Sequence, residues 1–306
     1  MNSPIADALG SPGRRLRAAF QTAPIAVPGV FNALVGRMAE RLGFQAVYLS
    51  GAALSASLAL PDVGLATLTE FVETARSIAA ATRLPLLCDA DTGFGAALNV
   101  ERTVRLFESA GAAGIHLEDQ QMPKRCGHLS GKQLVGAEVM TAKVRAAVSA
   151  RRDGDFVIVA RTDARGVAGF DEAVRRARLY VAAGADVIFP EAMESRDEFA
   201  DFARALAPVP LLANMTEFGR SPSLDFNELA ELGYRMVLYP VTTLRVALRA
   251  VQAVLADLLA KGHPRDQLDR MLTRAELYDL LDYEGYEKRD RAYFGRFHHE
   301  SHEEHE

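Results

Sequence analysis

Residues 156–163 read FVIVARTD, an unbroken apolar run that ends in an arginine, a threonine and an aspartate. A strand with one solvated face would alternate apolar and polar residues, and this run shows no such alternation. The runs LPLLCDAD at 84–91 and PLLANMT at 210–216 have the same form. Such runs are typical of parallel strands that are buried on both faces. They therefore predict an α/β protein with a parallel sheet.

Eight apolar runs recur along the chain, each ending in turn-forming, polar or charged residues. They are Ile25–Phe31, Ala46–Gly51, Leu84–Asp91, Gly114–Asp119, Phe156–Asp163, Val187–Glu191, Pro210–Thr216 and Met236–Val241. Amphipathic helical patterns lie between several of them, at Asn99–Ala110, Ala137–Arg151, Asp171–Ala183, Arg196–Leu206 and Phe226–Leu232. Strands that alternate with helices predict parallel βαβ units, and eight units predict a (β/α)8 TIM barrel. A doubly wound open sheet is the alternative, but the sequence has no glycine-rich phosphate loop after an early strand.

The barrel is expected to occupy residues 1–260. A long helical pattern, Leu244–Ala260, follows the last predicted strand, and a second pattern spans Gln267–Leu281. One barrel helix does not need both, so residues 261–297 are predicted to form a C-terminal helical extension. The tail at 298–306, HHESHEEHE, alternates histidine with acid. We expect it to be solvated and disordered, with metal binding as the less favoured interpretation.

Composition and charge argue against several classes of partner. The chain has 306 residues, 49% hydrophobic and 25% charged, with a formal net charge of −5. Such a protein has no overall attraction for nucleic acid or an anionic membrane. No apolar stretch reaches the ~18–20 residues of a membrane span, and the first residues lack the pattern of a secretory signal. Two cysteines make no disulfide framework, so a cytoplasmic location is expected.

The segment PKRCGH at 123–128 places Cys126 between two cations and a histidine. Nearby positive charge favours the thiolate, so we expect this thiol to exchange a proton near neutral pH. The segment lies in a long connection, about Gln120 to Gly136, after the fourth predicted strand. Long barrel loops that contain glycine, here Gly127 and Gly131, often act as lids. Cys126 is therefore a candidate catalytic acid on a lid, whereas Cys88 lies in an apolar run and is predicted to be core.

The third and fourth predicted strands end in carboxylates. Asp89 and Asp91 stand at positions i and i+2, so both point the same way from a strand. Glu118 ends the next strand, which is adjacent in a barrel. Two like charges this close need a cation, and oxygen ligands suit Mg²⁺ or Mn²⁺. The alternative interpretation is a set of salt-bridged surface acids.

The remaining strand ends carry hydroxyl, amide, acidic and guanidinium groups. In barrels the active site lies at these ends. The residues are Tyr48, Ser50, Gly51, Ala52, Arg161, Glu191, Asn214, Thr216 and Arg245. Arginines hold carboxylates by paired hydrogen bonds, so a metal ringed by such groups predicts a pocket for a polycarboxylate. A proton-donating thiol above it points to carbanion chemistry.

Together these motifs resemble the isocitrate lyase and phosphoenolpyruvate mutase superfamily. The resemblance spans about Gly13 to Phe294 and rests on LCDADTGFG, HLEDQQMPKRCGHLSGK, VIVARTDA, IFPEA, LLANMTEFG and LYPVTTLR. The motifs are most similar to those of members that cleave 2-methylisocitrate to pyruvate and succinate in propionate degradation, the methylcitrate cycle. The resemblance implies Mg²⁺ as the cofactor, with Mn²⁺ as a substitute. It also implies a homotetramer, built from dimers that exchange the last barrel helix.

The resemblance also implies roles for individual residues. Cys126 would protonate the succinate carbanion, and Tyr48 is the candidate that removes the proton of the C2 hydroxyl. Asp89 and Asp91 would hold Mg²⁺, with Glu118 nearby. The residues implied in substrate binding are Ser50, Gly51, Ala52, Gly127, Arg161, Glu191, Asn214, Thr216, Arg245 and, from the C-terminal extension, Arg274.

Related reactions remain as alternatives. Phosphonyl mutases and oxaloacetate decarboxylases share the fold but generally lack the loop cysteine. Isocitrate lyases are usually much longer, and Phe189, Leu238 and Pro240 are an apolar set that suits a C2 methyl. Cleavage of 2,3-dimethylmalate stays open, although Arg245 and Arg274 favour a third carboxylate. A catalytically silent scaffold is the remaining alternative, and the intact acid, metal and anion motifs argue against it.

Overall fold

The structure is a computed structural model that describes residues 10–300, with side chains described to residue 294. Within this part of the chain, eight parallel strands form one sheet. The strands are β1 (Ile25–Pro28), β2 (Val47–Leu49), β3 (Leu86–Asp89), β4 (Gly114–Glu118), β5 (Val157–Thr162), β6 (Val187–Pro190), β7 (Leu211–Asn214) and β8 (Tyr234–Tyr239). Seven of them lie within the predicted runs, and β8 begins two residues before its run, Met236–Val241.

The sheet closes on itself. From β2 to β8, each strand pairs in parallel with the next one along the chain, and β1 pairs with β8 from Ile25–Met236 to Pro28–Tyr239. The edge between β1 and β2 closes through a parallel bridge of Gly29 with Tyr48, where the Val30 N–H donates to the Tyr48 carbonyl at 2.8 Å. Gly29 lies so near β8 that an added Cβ would stand 2.0 Å from the Pro240 carbonyl oxygen. The predicted TIM barrel is confirmed.

Helices connect the strands. In the barrel they are α1 (Pro12–Thr22), α2 (Ala33–Arg41), α3 (Gly51–Ser57), α4 (Leu68–Ala81), α5 (Ala97–Ser109), α6 (Ala137–Ala150), α7 (Arg165–Ala168), α8 (Phe170–Ala182), α9 (Arg196–Leu206) and α10 (Phe226–Glu231). The next helix, α11 (Thr242–Lys261), follows β8. The five predicted inter-strand helices are all present, with ends within one or two residues of the predicted ones.

Strand side chains alternate between two apolar layers, as the period of two requires. Ile158, Ile188 and Val237 face outward and pack with the helices in the larger layer. Val157, Val187 and Met236 belong to the inner layer, which Leu16 and Phe20 of α1 join. Continuing the inward positions past each strand end reaches Arg161, Glu191 and the other polar groups. The same alternation that fills the barrel therefore aims the site residues inward.

The chain divides into two compact units, at 247/248. The second contains most of α11, a 3₁₀ helix (Arg265–Arg270), α12 (Arg274–Leu281) and α13 (Tyr283–Glu300). The pattern Gln267–Leu281 predicted one helix, whereas the structure has two, separated before Thr273. The Thr273 side chain caps α12 by accepting from the Glu276 N–H. The part of the predicted tail from 301 to 306 lies outside the described residues. Within the described chain, no helix is both long and apolar enough to cross a bilayer.

Candidate active site

The carboxyl ends of the strands surround a cleft of about 580 Å³, open mouth included. All the cleft residues belong to the first unit. The structure brings eleven of the predicted site residues to its wall, which are Tyr48, Ser50, Ala52, Asp89, Cys126, Gly127, Arg161, Glu191, Asn214, Thr216 and Arg245. The predicted apolar set of Phe189, Leu238 and Pro240 lies on the same wall. Gly51, Asp91 and Glu118 adjoin it through contacts described below.

Asp89 and Asp91 are both buried at the end of β3. Asp89 Oδ1 accepts from the Asp91 N–H at 2.9 Å, and Asp91 has a φ of 44°, in the left-handed region that few residues other than glycine adopt. Such strain is often found where a side chain is held for function. Burial and the Asp89 charge raise the pKa of Asp91 to about 6, despite the nearby Lys124.

Glu118 is buried at the end of β4, where its N–H donates to the Asp91 carbonyl at 2.9 Å, and its Oε1 has no hydrogen-bond partner among the described residues. Burial raises the pKa of Glu118 well above its usual range, although Arg161 and Lys124 oppose the shift. A buried carboxylate with a free oxygen suits a cation or a cation-bound water. The residues present therefore fit the predicted divalent ion.

The acids at these strand ends do not form a metal site with protein ligands alone. Among the described residues, no group of three His, Cys, Asp or Glu side chains is placed to bind one metal ion. Mg²⁺ usually keeps several waters and binds through one or two carboxylates and its substrate. Asp89 and Asp91 supply two carboxylates, and Glu118 is suited to the outer shell.

Lys124 was predicted only as a cation that favours the Cys126 thiolate, whereas the structure makes it central to the acid cluster. Its ammonium lies 2.7 Å from Asp91 Oδ1 and also contacts Asp62. Burial alone would lower the pKa of Lys124, but Glu118, Asp91, Asp89 and Asp62 raise it well above its usual range. Asp62 carries no sequence signal, because it lies in the connection after α3. Lys124, by contrast, was visible in the cysteine motif.

Tyr48 is buried beside the acids. Its hydroxyl lies 2.7 Å from His116 Nε2 and 3.3 Å from Asp89 Oδ2. Burial and the Asp89 charge raise the pKa of Tyr48 well above its usual range. The neutral phenol is therefore the form that this environment favours. His116, which is not among the predicted site residues, is the nearest group able to take the phenol proton.

The segment Ser50–Ala52 begins α3 at the end of β2. The Ser50 hydroxyl caps the helix by accepting from the Ala53 N–H at 3.3 Å. The Gly51 N–H donates to Asp89 Oδ2 at 3.0 Å. The backbone donor of Gly51 is thus directed to a carboxylate of the protein, and it fixes the orientation of Asp89.

Arg161 lies at the centre of the cleft floor. Its Nη1 stands 3.4 Å from Glu118 Oε2 and 3.3 Å from Glu191 Oε2, and its Nε donates to Asp163 Oδ2 at 3.0 Å. Burial would lower the pKa of Arg161, but the acids outweigh it and raise the pKa. Asn214 donates to Glu191 Oε2 at 3.2 Å. These polar groups hold one another in position at the ends of four strands, β4 to β7.

The connection after β4, residues 119–136, is here called the Cys126 loop. Gln120 and Leu134 form an antiparallel bridge at its base. The Gln120 side chain also clamps Arg125, donating to its carbonyl and accepting from its N–H, both at 2.9 Å. Met122 and Leu129 are exposed on the outer side. The loop therefore has a paired base and an inner part that covers the cleft.

The expectation of an acidified Cys126 was wrong. Burial, and to a smaller extent the Glu191 charge, raise the pKa of this thiol above its ordinary value. The two cations beside it in sequence form other contacts instead of stabilising its thiolate. Lys124 contacts Asp91, and Arg125 Nη1 donates to the Ser130 carbonyl at 3.4 Å. The thiol therefore stays protonated at neutral pH, which suits a proton donor.

The loop residues after Cys126 sit directly on the floor. A Cβ added to Gly127 would lie 2.4 Å from Glu191 Cγ and 2.5 Å from Arg161 Nη2, so only glycine fits. His128 Nε2 lies 2.9 Å from Glu191 Oε1, and its Nδ1 accepts from the Arg220 N–H at 3.0 Å. That pairing makes Nε2 the protonated nitrogen.

Two predicted arginines are placed differently. Arg245 lies at the cleft wall, where its Nη1 donates to the Glu217 carbonyl at 2.7 Å and to Glu217 Oε2 at 2.9 Å. Its guanidinium also stands 5.4 Å from the Phe218 ring centre. Arg274 begins α12 in the second unit, and its role remains a prediction.

Residues 16–259 match the family model described as phosphoenolpyruvate phosphomutase. Among curated relatives, the 2-methylisocitrate lyase of Aeropyrum pernix is 55% identical, covering 92% of this chain and 91% of the relative. The 2-methylisocitrate lyase of Escherichia coli strain K12 is 45% identical, with coverages of 94% and 98%.

Solved structures of 34–36% identity have the same fold. A 2,3-dimethylmalate lyase, a member of the phosphoenolpyruvate mutase/isocitrate lyase superfamily, matches with a TM-score of 0.87 over 92% of this chain and 95% of its own, at 36% identity. A phosphonopyruvate hydrolase in complex with oxalate and Mg²⁺ matches with a TM-score of 0.83 over 94% and 99%, at 34% identity.

Proposed function

This chain belongs to the phosphoenolpyruvate mutase/isocitrate lyase family, and we propose that it cleaves 2-methylisocitrate to pyruvate and succinate. One observation carries the proposal: a half-buried, protonated thiol on the Cys126 loop lines the same cleft as the Asp89 carboxylate and the Arg161 guanidinium. Such a cleft suits cleavage of a carbon–carbon bond that leaves a carbanion to be protonated. The relatives of 45–55% identity point to the same substrate.

The reaction needs one proton removed and one added. The C2 hydroxyl loses its proton, the C2–C3 bond breaks, C2 becomes the pyruvate carbonyl, and the electron pair stays on the succinate carbon. Cys126 gives its thiol proton to that carbon. Tyr48 accepts the hydroxyl proton only if its own proton moves on, and His116 Nε2 at 2.7 Å is within reach. The thiolate is reprotonated before the next turnover.

The predicted cofactor is Mg²⁺, with Mn²⁺ as a substitute. Asp89 and Asp91 would hold it, with Glu118 behind them. When bound, the cation supplies positive charge that offsets the substrate carboxylates and the negative charge that develops during cleavage. Mg²⁺ in the complex of the related phosphonopyruvate hydrolase supports this assignment.

The rest of the cleft accounts for binding. Ser50, Gly51 and Ala52 would contact the part that becomes pyruvate, and Arg161, Glu191, Asn214 and Thr216 the succinate part with the Gly127 backbone. Phe189, Leu238 and Pro240 line an apolar wall for the C2 methyl. A buried methyl contributes about 1–3 kcal/mol of discrimination, so isocitrate should be a weaker substrate. Arg245 would leave Glu217 and, together with Arg274, bind a third carboxylate of the substrate. 2,3-Dimethylmalate lacks this third carboxylate.

We further propose a homotetramer in the cytoplasm that serves propionate degradation through the methylcitrate cycle. The second unit supports assembly, because it exposes apolar side chains such as Leu255, Leu259 and Leu268. Exposed apolar clusters of this kind mark association surfaces. Exchange of the last barrel helix between subunits remains the predicted form of that association.

A three-substrate assay tests the proposed function. Purified protein with Mg²⁺ is offered 2-methylisocitrate, isocitrate and 2,3-dimethylmalate, and pyruvate and glyoxylate are measured separately. We expect pyruvate from 2-methylisocitrate at a kcat/KM at least about tenfold above the other two substrates. A preference for either competitor would overturn the substrate assignment while leaving the reaction class intact.

A further inference from the structure

Within the described residues, three side chains of the inner part of the Cys126 loop, residues 124–132, make ion-pair contacts with the barrel. Lys124 reaches Asp91, and His128 reaches Glu191. The third is made by Lys132, whose ammonium donates to Asp163 Oδ1 at 2.9 Å and also to the Gly127 carbonyl. The Lys132 and Asp163 side chains are 3% and 0% exposed, so solvent screens this pair little.

The Lys132 tie differs from the other two in its position. The proposed cation would bind Asp91, and the substrate would contact Glu191. Bound ligands would therefore change the Lys124–Asp91 and His128–Glu191 contacts. Neither Lys132 nor Asp163 lines the cleft. Gly166 of α7 packs against the ammonium, since a Cβ added there would lie 3.5 Å from Nζ. Ligands in the cleft therefore cannot contact the Lys132–Asp163 pair directly.

We propose that Lys132 is a positioning residue that latches the Cys126 loop over the cleft. It fixes the Gly127 carbonyl, which directly follows Cys126, and so fixes where the thiol points. The latch itself follows from the contacts of Lys132, whereas its importance for turnover rests on the proposed function.

The latch also couples loop closure to Arg161. Asp163 accepts from Arg161 through Nε at 3.0 Å and through Nη2 at 3.1 Å. When the loop is closed, Asp163 divides its charge between Arg161 and Lys132. Arg161 then keeps more positive potential for a substrate carboxylate. By linkage, a carboxylate bound to Arg161 must favour the closed loop to the same degree.

The two cysteines make the latch measurable without any turnover. Cys88 is fully buried and Cys126 is partly exposed, so a small alkylating reagent such as N-ethylmaleimide reports on Cys126 in the folded protein. Lys132→Met keeps the apolar stem and removes the ammonium. We expect its Cys126 to be alkylated about tenfold faster than in the wild type, because the loop opens more often. Loss of a cation alone would lower the thiolate fraction and slow the reaction, so acceleration reports on opening.

Lys143→Met is the matched control. Lys143 is also buried and donates to a carbonyl, that of Thr92, at 2.7 Å, but it lies on α6 outside the loop. Alkylation of this variant should stay within about twofold of wild type. If Lys132→Met does not fold, Lys132→Gln tests the same point, because Gln is too short to reach both Gly127 and Asp163. Peptide mass mapping confirms that the adduct is on Cys126.

Turnover gives the second readout. The latch predicts that Lys132→Met lowers kcat for 2-methylisocitrate about tenfold or more, with a smaller change in KM. An unchanged alkylation rate in the variants would overturn the latch, whatever their activity. If the wild type does not cleave 2-methylisocitrate, the proposed function fails, and the alkylation rates still decide the latch.

Discussion

The two ends of the barrel both hold charged side chains against the strands, and they pair them in opposite ways. At the amino ends of β5 and β6, Asp186 Oδ1 lies 2.8 Å from Arg17 Nη2. Its Oδ2 lies 2.9 Å from Arg151 Nη1 and accepts from the Ile158 N–H at 2.8 Å. At the carboxyl ends, four carboxylates act on a single ammonium, that of Lys124. Every oxygen of Asp186 has a partner, whereas Glu118 Oε1 has none among the described residues.

This difference in pairing assigns the amino end to stability and the carboxyl end to function. A paired acid such as Asp186 holds α1 and α6 against the barrel and needs nothing further. A surplus of buried negative charge is costly unless a cation offsets it. The carboxyl end leaves that cost unmet and so offers a place for a divalent ion. It is also the end at which barrel active sites lie. The predictions below test this division.

The largest effect is expected for Cys126→Ser, at the carboxyl end. A hydroxyl is a far weaker acid than a thiol, so we expect kcat to fall about 10³-fold, with Mg²⁺ binding and the unfolding midpoint unchanged. Cys88→Ala is the matched control, because Cys88 packs in the outer layer and should leave kcat intact. Near-normal turnover by Cys126→Ser would remove the thiol from the mechanism.

Asp91→Asn should weaken Mg²⁺ binding by roughly 100-fold or more, since even outer-shell changes cost 10–100-fold. Isothermal titration calorimetry with Mg²⁺ measures this without turnover. Removing one buried like charge beside Asp89 should also leave the fold at least as stable. Equal Mg²⁺ affinity in variant and wild type would show that Asp91 is not a ligand.

Asp186→Asn tests the opposite end. It leaves Arg17 and Arg151 with a neutral partner, and we expect the free energy of unfolding to fall by about 1–3 kcal/mol. Urea denaturation measures the loss, and Mg²⁺ affinity and kcat/KM should stay within about twofold of wild type. A variant that keeps its stability but loses Mg²⁺ would reverse the proposed division of the barrel.

The smallest effect concerns pH. Because burial raises the pKa of Cys126, only a small fraction is thiolate at pH 7, and that fraction grows about tenfold per pH unit up to the pKa. The alkylation rate of the free protein should therefore rise steadily from about pH 7 to 9. A plateau beginning near pH 7 would indicate a thiolate and restore the sequence-based expectation.

The sequence predicted the barrel and most of its site because both follow from alternation along a strand. In β5, the inward positions Val157 and Val159 lead to Arg161 and then Asp163, so a residue's place in the run decides which way it points. The partner of a loop cation has no such regularity. Lys124 precedes Cys126 by two residues, yet its ammonium lies with Asp62 and Asp91, which come from other connections.

The error on Cys126 has the same cause. Neighbouring charges in sequence favoured a thiolate, whereas burial and the Glu191 charge dominate in the fold. The latch residue Lys132 was likewise out of reach, because its partner Asp163 follows a different strand, 31 residues further along the chain. Contacts between loops depend on how two connections meet, which no local pattern records.

Turnover in the presence of a chelator tests the central claim most directly. The protein is treated with excess EDTA, and pyruvate formed from 2-methylisocitrate is followed before and after Mg²⁺ is returned. We predict no pyruvate in the chelator and full recovery with Mg²⁺, because the surplus carboxylates at the carboxyl end need the ion. Pyruvate formation that continues in excess chelator would contradict the account.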